Sequence, residues 1–170
     1  MKVIRATDIW AKAGVYYVRT EAMVFGFDVR LEGEFESDTP DSEYILVMED
    51  DGKPLSTCRI HAVPEEGYAK IERVATVSTA RNRGAGRLAI EEAEKWILEK
   101  GIHKIIITSR DEAVGFYEKL GYTADYSKDC RALFPPDPKK EKEKQERAER
   151  EGDAAQQKPR FQIVYVEKEL

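Results

Sequence analysis

Only two cysteines, Cys58 and Cys130, and two histidines, His61 and His103, occur in 170 residues. The cysteines are far apart and lie in no metal-ligand spacing, so two reduced thiols in a cytoplasmic protein are expected rather than a disulfide framework or a metal site. Two isolated histidines leave little material for a zinc centre or a Ser-His-Asp triad. No apolar run approaches the roughly 18 residues of a membrane helix, so no membrane partner is expected. Basic residues are in deficit as well: 28 Lys and Arg against 33 Asp and Glu give a net charge of −5. A general nucleic-acid binder needs a basic surface and is excluded on that ground; a small phosphorylated ligand needs only a local basic cluster. Apolar residues at 41% and charged residues at 36% describe a highly charged globular chain of one domain's length.

The chain opens with a strand near residues 2–6, then a helix started by Thr7 or Asp8, whose side-chain oxygens suit an N-cap. Val15, Val18, Ala22 and Phe25 recur at helical spacing and predict one buried face. An acidic stretch at 32–43, containing Glu36, Asp38 and Asp41, lacks the apolar pattern of a core element. From Tyr44 to Val77 three apolar runs, separated by Asp50-Asp51-Gly52 and Pro64-Glu65-Glu66-Gly67, predict an antiparallel meander. Ala89, Ile90, Ala93, Trp96 and Ile97 make one face of a helix that should stop at Gly101. The run Ile105-Ile106-Ile107 predicts a strand covered on both faces. Ser109 and Glu112 have capping-box spacing for a further helix ending near Gly121. Residues 135–159 read as a charged insertion before a final strand at 161–166. Within it, 139–151 carries six basic and five acidic residues, and Glu143/Arg147 and Glu146/Arg150 have the spacing of helical ion pairs.

The most informative segment is Val77-Ser78-Thr79-Ala80-Arg81-Asn82-Arg83-Gly84-Ala85-Gly86-Arg87, between a strand and a helix. Gly84 and Gly86 remove Cβ atoms where backbone amides would approach a ligand, and the helix start favours an anion. Arg81, Arg83 and Arg87 add three cations, a composition suited to a pyrophosphate. The alternative is a glycine-rich turn whose arginines point into solvent. Gly84-Ala85-Gly86-Arg87-Leu88-Ala89 also matches the dinucleotide fingerprint G-x-G-x-x-[GA], with Arg110 as a candidate reader of a 2′-phosphate. That fingerprint places its first glycine directly after the strand, whereas Gly84 follows Val77 by several residues, and an antiparallel meander precedes it.

Arg81-Asn82-Arg83-Gly84-Ala85-Gly86 resembles the pyrophosphate loop [QR]-x-x-G-x-[GA] of the GNAT acetyltransferases. Ala113-Val114-Gly115-Phe116-Tyr117-Glu118-Lys119-Leu120-Gly121-Tyr122 is similar to that family's A-x-x-F-Y-x-K-x-G-[FY] segment. The two occur in the family's order, separated by one helix and one strand. Val18-Arg19, Met23-Val24-Phe25 and Glu36-x-Asp38-x-x-Asp41 resemble a bacterial subgroup more loosely. The resemblance implies a single domain over residues 1–170 with a mixed α/β fold: a central, mostly antiparallel sheet flanked by helices and split to take coenzyme A. It implies acetyl-CoA as co-substrate and no metal. Val74, Ala75 and Val77 would pair with the pantetheine arm as an added strand does. The amides around Arg81, Asn82, Arg83, Gly84, Ala85, Gly86 and Arg87 would hold the pyrophosphate.

The implied reaction is N-acetylation of a small-molecule or peptide amine by direct transfer in a ternary complex, with a non-catalytic acyl-CoA-binding module as the alternative. Tyr117 matches the family tyrosine near the coenzyme sulfur that protonates the departing thiolate; otherwise it is a core aromatic beside Phe116. Glu72, in the strand feeding the loop, is the candidate base. Sharing a face with Val74 and Thr76 would raise its carboxyl, whereas pairing with Arg59 or Arg73 would do the reverse. Asp38 and Asp41 are candidate anions for attracting an ammonium acceptor. Arg110 stands where many relatives carry Asn, so it either meets the coenzyme phosphates or leaves a pantetheine contact absent. A C-terminal strand beside an open sheet edge permits a homodimer.

Overall fold

The apolar runs between Tyr44 and Val77 fold as the expected meander, in a computed structural model that describes residues 1–151 and 161–170. The strands are β1 (Lys2–Arg5), β2 (Glu43–Met48), β3 (Pro54–Val63), β4 (Tyr68–Thr76), β5 (Lys104–Arg110), β6 (Thr123–Asp125) and β7 (Ile163–Glu169). They form one sheet in the order β1-β2-β3-β4-β5-β7-β6, mixed α/β in class and mostly antiparallel. The helices are α1 (Ile9–Arg19), α2 (Leu31–Phe35), α3 (Ala85–Glu99), α4 (Val114–Glu118), α5 (Cys130–Leu133) and α6 (Pro138–Glu151). None of the described helices is long and apolar enough to cross a membrane. The chain divides into two compact units, Met1–Ile107 with Lys168–Leu170, and Thr108–Glu167.

In the first unit, Ile45 lies opposite Cys58, whose Sγ reaches the Ala89 carbonyl of α3 at 3.6 Å. The neighbouring Leu46 points the other way, and a Cβ on Gly14 of α1 would meet its Cδ2 at 2.7 Å. Period-two alternation therefore puts α1 and α3 on opposite faces of the sheet. That is why β2 is buried from Tyr44 to Met48 without a polar position. Ile90 and Ile97 of α3 have no exposed surface, and each contributes about 1.5–3 kcal/mol of apolar transfer. The helix stops as expected, with Gly101 at φ 76°.

Two features differ from the sequence expectation. Val15, Val18 and Ala22 are buried, but Phe25 is 74% exposed. Residues Thr20–Phe25 form a π-helical turn, and its wider winding breaks the 3.6-residue period that would have carried Phe25 inward. The acidic stretch is not mere loop either. It contains α2, and Glu34 within α2 is 1% exposed.

In the second unit, β6 pairs antiparallel with β7 (Thr123 with Glu167, Asp125 with Tyr165), and the Asp111 amide donates to the Gln162 carbonyl. The expected capping box does not form. The strand β5 runs on to Arg110, so Ser109 is still in it and its hydroxyl donates to the Arg110 carbonyl. Asp111 opens the following turn, its carboxylate accepting from the Glu112 amide at 3.0 Å. Asp129 caps α5 through the amides of Arg131 and Ala132. The first part of the charged insertion is helical, as α6. Arg131 pairs with Glu141, Lys142 lies 3.8 Å from Glu146, and Arg150 Nε donates to the Glu146 carbonyl. The rest of the insertion, residues 152–159, lies outside the described residues. Cys58 and Cys130 are both buried free thiols.

Candidate functional site

Strand β4 outruns its parallel partner. Tyr68, Ala69 and Lys70 pair with Lys104, Ile105 and Ile106, and the register goes no further. On its other side β4 stays with β3 as far as Thr76, interrupted by a bulge in which Arg73 and Val74 oppose Cys58 alone. Arg73 has φ 50° there, the left-handed bend that an extra residue imposes on a strand. The expected parting of β4 from β5 is thus present, beginning at Ile71.

Beyond the bulge, the Ala75 carbonyl accepts from Ser56 Oγ and the Val77 amide donates to the Leu55 carbonyl, both at 2.9 Å. Those two groups face β3. Because backbone groups alternate along a strand, those of the intervening Thr76 face the released edge. Ala75 and Val77, expected from sequence to pair with the pantetheine arm, are thus turned toward β3 and leave that edge to Thr76, since side-chain patterns carry no information on which edge a backbone group faces.

The chain then turns through Ser78–Ala80 into the loop before α3. Asn82 at φ 60° and Gly84 at φ 85° bring the backbone round, and Gly84 is the N-cap of α3. Among the described residues, its own chain neighbours and helix backbone aside, nothing lies within 4 Å of a Cβ built on Gly84. The glycine is therefore required by its dihedral, and the space in front of it is open to a ligand. Ala85, Gly86 and Arg87 form the first turn, whose amides have no acceptor within the helix. Each arginine has a surface partner. Arg83 meets Glu49 and Arg87 meets Glu91, both at 2.6 Å, and Arg81 lies over the Phe27 ring at 5.8 Å. Solvent-exposed pairs of this kind are weak, so a phosphate can exchange with them. The loop fits a pyrophosphate.

Glu72 sits on β4 at the start of the released edge, facing Arg59 across the β3/β4 pair. Its Oε2 accepts from Arg59 Nη2 at 2.7 Å and its Oε1 lies 3.1 Å from Lys70 Nζ. Burial alone would raise the carboxyl; Lys70 and Arg59 outweigh it and hold Glu72 below the usual glutamate value. Of its two readings from sequence, the geometry matches the ion pair. Behind it runs a buried chain of charges that sequence did not reveal. Arg59 lies 3.3 Å from Asp38, Asp38 accepts from both terminal nitrogens of Arg19, and Arg19 Nε donates to Glu34 at 2.8 Å. Arg19 and Glu34 have side chains only 1% exposed. For Asp38 burial again acts upward, and the bonds from Arg19 and Tyr44 outweigh it, holding the carboxyl low. A pocket of about 330 Å³ adjoins this chain, lined by Asp41, Glu43, Arg59, Ile60 and His61 among others. Cys58 is no nucleophile: burial pushes its thiol up to about 12.

The second unit carries the remaining sequence candidates. Tyr117 of α4 is 6% exposed, edge-on to Phe116 at 5.0 Å and to Tyr122 at 5.9 Å. The guanidinium of Arg110 lies 4.2 Å over the Phe161 ring and 3.7 Å from Glu112.

A strand edge released beside its sheet and leading to an arginine-rich helix start suits an extended ligand that ends in phosphates. The family is explicit in the comparisons. Residues 13–122 match the model of the Acetyltransferase (GNAT) family, and the chain belongs to that family. It is 31% identical over 122 residues to the uncharacterized N-acetyltransferase YjcF of Bacillus subtilis, covering 72% of this chain and 85% of YjcF. Among solved structures, a Lactobacillus plantarum protein assigned as an N-acetyltransferase superposes with a TM-score of 0.75 at 22% identity, over 99% of this chain and 97% of that one. Rv2747 from Mycobacterium tuberculosis, solved in complex with CoA and NLQ, gives 0.62 at 15% identity over 100% and 99%. Both share the fold.

Proposed function

We propose that the protein transfers the acetyl group of acetyl-CoA to a primary amine of a small molecule or peptide, directly, within a ternary complex. The observation that carries this is the released β4 edge leading through the Ser78–Ala80 turn into the Arg81–Gly86 loop. Acetyl-CoA supplies the activated thioester carbonyl. On the chain's side, Thr76 offers backbone groups on the released edge for the pantetheine amides, and the first turn of α3 offers amides for the pyrophosphate. Amine attack forms the new C–N bond, the C–S bond breaks, and the thiolate must gain a proton. Tyr117 is assigned that donation on its match to the family motif. Glu72, charged throughout the neutral range, holds the incoming amine or the water that takes its proton. The pocket beside Arg59 carries Asp41 at its rim, which favours a cationic acceptor.

One observation favours a second reading. A carboxylate held low by Arg59 and Lys70 is a weak base, as expected of a module that binds acyl-CoA without turning it over. Two measurements decide between them. Acetyl-CoA at about 100 times its dissociation constant adds roughly 2.7 kcal/mol, a rise of roughly 5–10 °C in Tm for a chain of this size, and NADPH adds none. Acetyl-CoA with a panel of amines should then release free thiol, more slowly in Tyr117→Phe. Stabilisation without turnover supports the binding module; no stabilisation by acetyl-CoA or CoA removes both readings.

A further inference from the structure

We propose that Arg59 is a positioning residue for acyl transfer, fixing Glu72 on β4 and tying the segment 34–38 to the same strand. The inference rests on the assignment of Glu72 to the reaction made above. Arg59 and Glu72 are direct cross-strand partners, and the guanidinium is divided between two elements. Nη2 donates to Glu72 at 2.7 Å, while Nη1 donates to the Ser37 carbonyl at 2.9 Å and lies 3.3 Å from Asp38. Asp38 is itself anchored by Arg19 and Tyr44. A second tie runs beside the first: Arg73, the bulge residue next to Glu72, reaches Glu34 at 3.4 Å and Ser37 Oγ at 3.3 Å. Segment 34–38 is thereby clamped to β4 at Glu72 and at the bulge residue Arg73.

The clamp carries a cost in stability. Arg59 is 7% exposed, and its Nε is buried with no hydrogen-bond partner among the described residues. Buried polar groups are almost always satisfied. This donor is given up in a pose that lets the other two nitrogens reach carboxylates on different elements, which a fold selected for stability alone has no reason to keep. Only an arginine has the planar fork to do this; a lysine at the same place is a single point charge. Lys70 and Tyr68 on β4 also bear on Glu72, so their effect has to be separated from that of Arg59.

The test uses the full-length protein with ¹³C-labelled glutamate side chains, Glu72→Gln assigning the resonance of interest. In Arg59→Gln the titration midpoint of Glu72 is expected to rise by about one to three pH units, the span an adjacent opposite charge commands, and more than in Lys70→Gln. Amides of residues 34–38 are expected to exchange at least about tenfold faster. Arg59→Lys should restore most of the Glu72 midpoint but not the amide protection, and it serves alone where Arg59→Gln fails to fold. In turnover, the acid limb of kcat/KM should move upward with the Glu72 midpoint in Arg59→Gln, while the KM for acetyl-CoA holds. An unmoved Glu72 midpoint with unchanged exchange at 34–38 overturns the inference directly. Unchanged acyl transfer in Glu72→Gln overturns it through its premise, leaving the clamp itself measurable by exchange.

Discussion

Replacing Arg19 by leucine should be among the most damaging single changes in this protein. Arg19 leaves no residue surface exposed, yet it donates to Glu34 at 2.8 Å through Nε and to Asp38 at 2.7 and 2.8 Å through its terminal nitrogens. Its guanidinium also lies 4.4 Å over the Phe35 ring. Leucine fills part of the volume but leaves two carboxylates facing a site that water does not reach. Removing one partner of a buried ion pair typically costs 3–5 kcal/mol, well above the pair's net worth, because the survivor stays charged and unpaired. With a urea slope of about 2 kcal/mol/M, in the middle of the usual range, the unfolding midpoint should fall by about 1.5–2.5 M with the slope unchanged. The double variant Arg19→Leu/Glu34→Leu should recover at least about 1 kcal/mol of that loss, a coupling of the size seen between contacting residues. Urea unfolding followed by far-UV circular dichroism measures both. A loss below about 1 kcal/mol, the worth of a solvent-screened pair, would refute the reasoning, because the network would then be no more than a surface ion pair.

Other outcomes follow from the same structure. Gly14→Ala improves helix propensity but pushes a Cβ to 2.7 Å from Leu46 Cδ2, in a leucine with no exposed surface. Overpacking of about 1–3 kcal/mol should outweigh the gain, and the thermal midpoint should drop. Cys58, its thiol pushed up to about 12, should not react with an aromatic disulfide reagent at pH 8 in the native state and should react at once in urea; native labelling of Cys58 would contradict its burial. Asp38 and Glu72 are held below their ordinary values. Their contribution is complete above the unfolded carboxylate range near pH 4 and is lost as pH falls through the folded values. Stability should therefore hold from about pH 5 upward as far as these groups are concerned and decline below about pH 4. The decline should be shallower in Asp38→Asn, and an unchanged slope would remove Asp38 from the acid response.

Much of the fold was legible in the sequence because its signals are local. Apolar runs bounded by turn residues between Tyr44 and Val77 dictate strands whichever neighbours they meet, and Gly101 can end a helix because no other residue enters the left-handed region so easily. The Arg81–Gly86 loop was legible for the same reason: its glycines, its arginines and the helix that follows are contiguous. The sequence by itself thus determined the meander, the glycine-rich turn before α3 and the family. Tertiary structure alone decided what Glu72 meets. Which of Arg59, Arg73 or an apolar neighbour faces that carboxylate depends on the β3/β4 register, and a bulge at Arg73 and Val74 shifts it without a mark in the side-chain pattern. The acidic stretch showed no core pattern because its charges are visible in sequence while their partners are not. Arg19 lies 15 residues from Glu34, and Arg59 lies 13 from Glu72. A carboxylate's chemistry is set by the charges within a few ångströms of it, and only the folded chain brings those together.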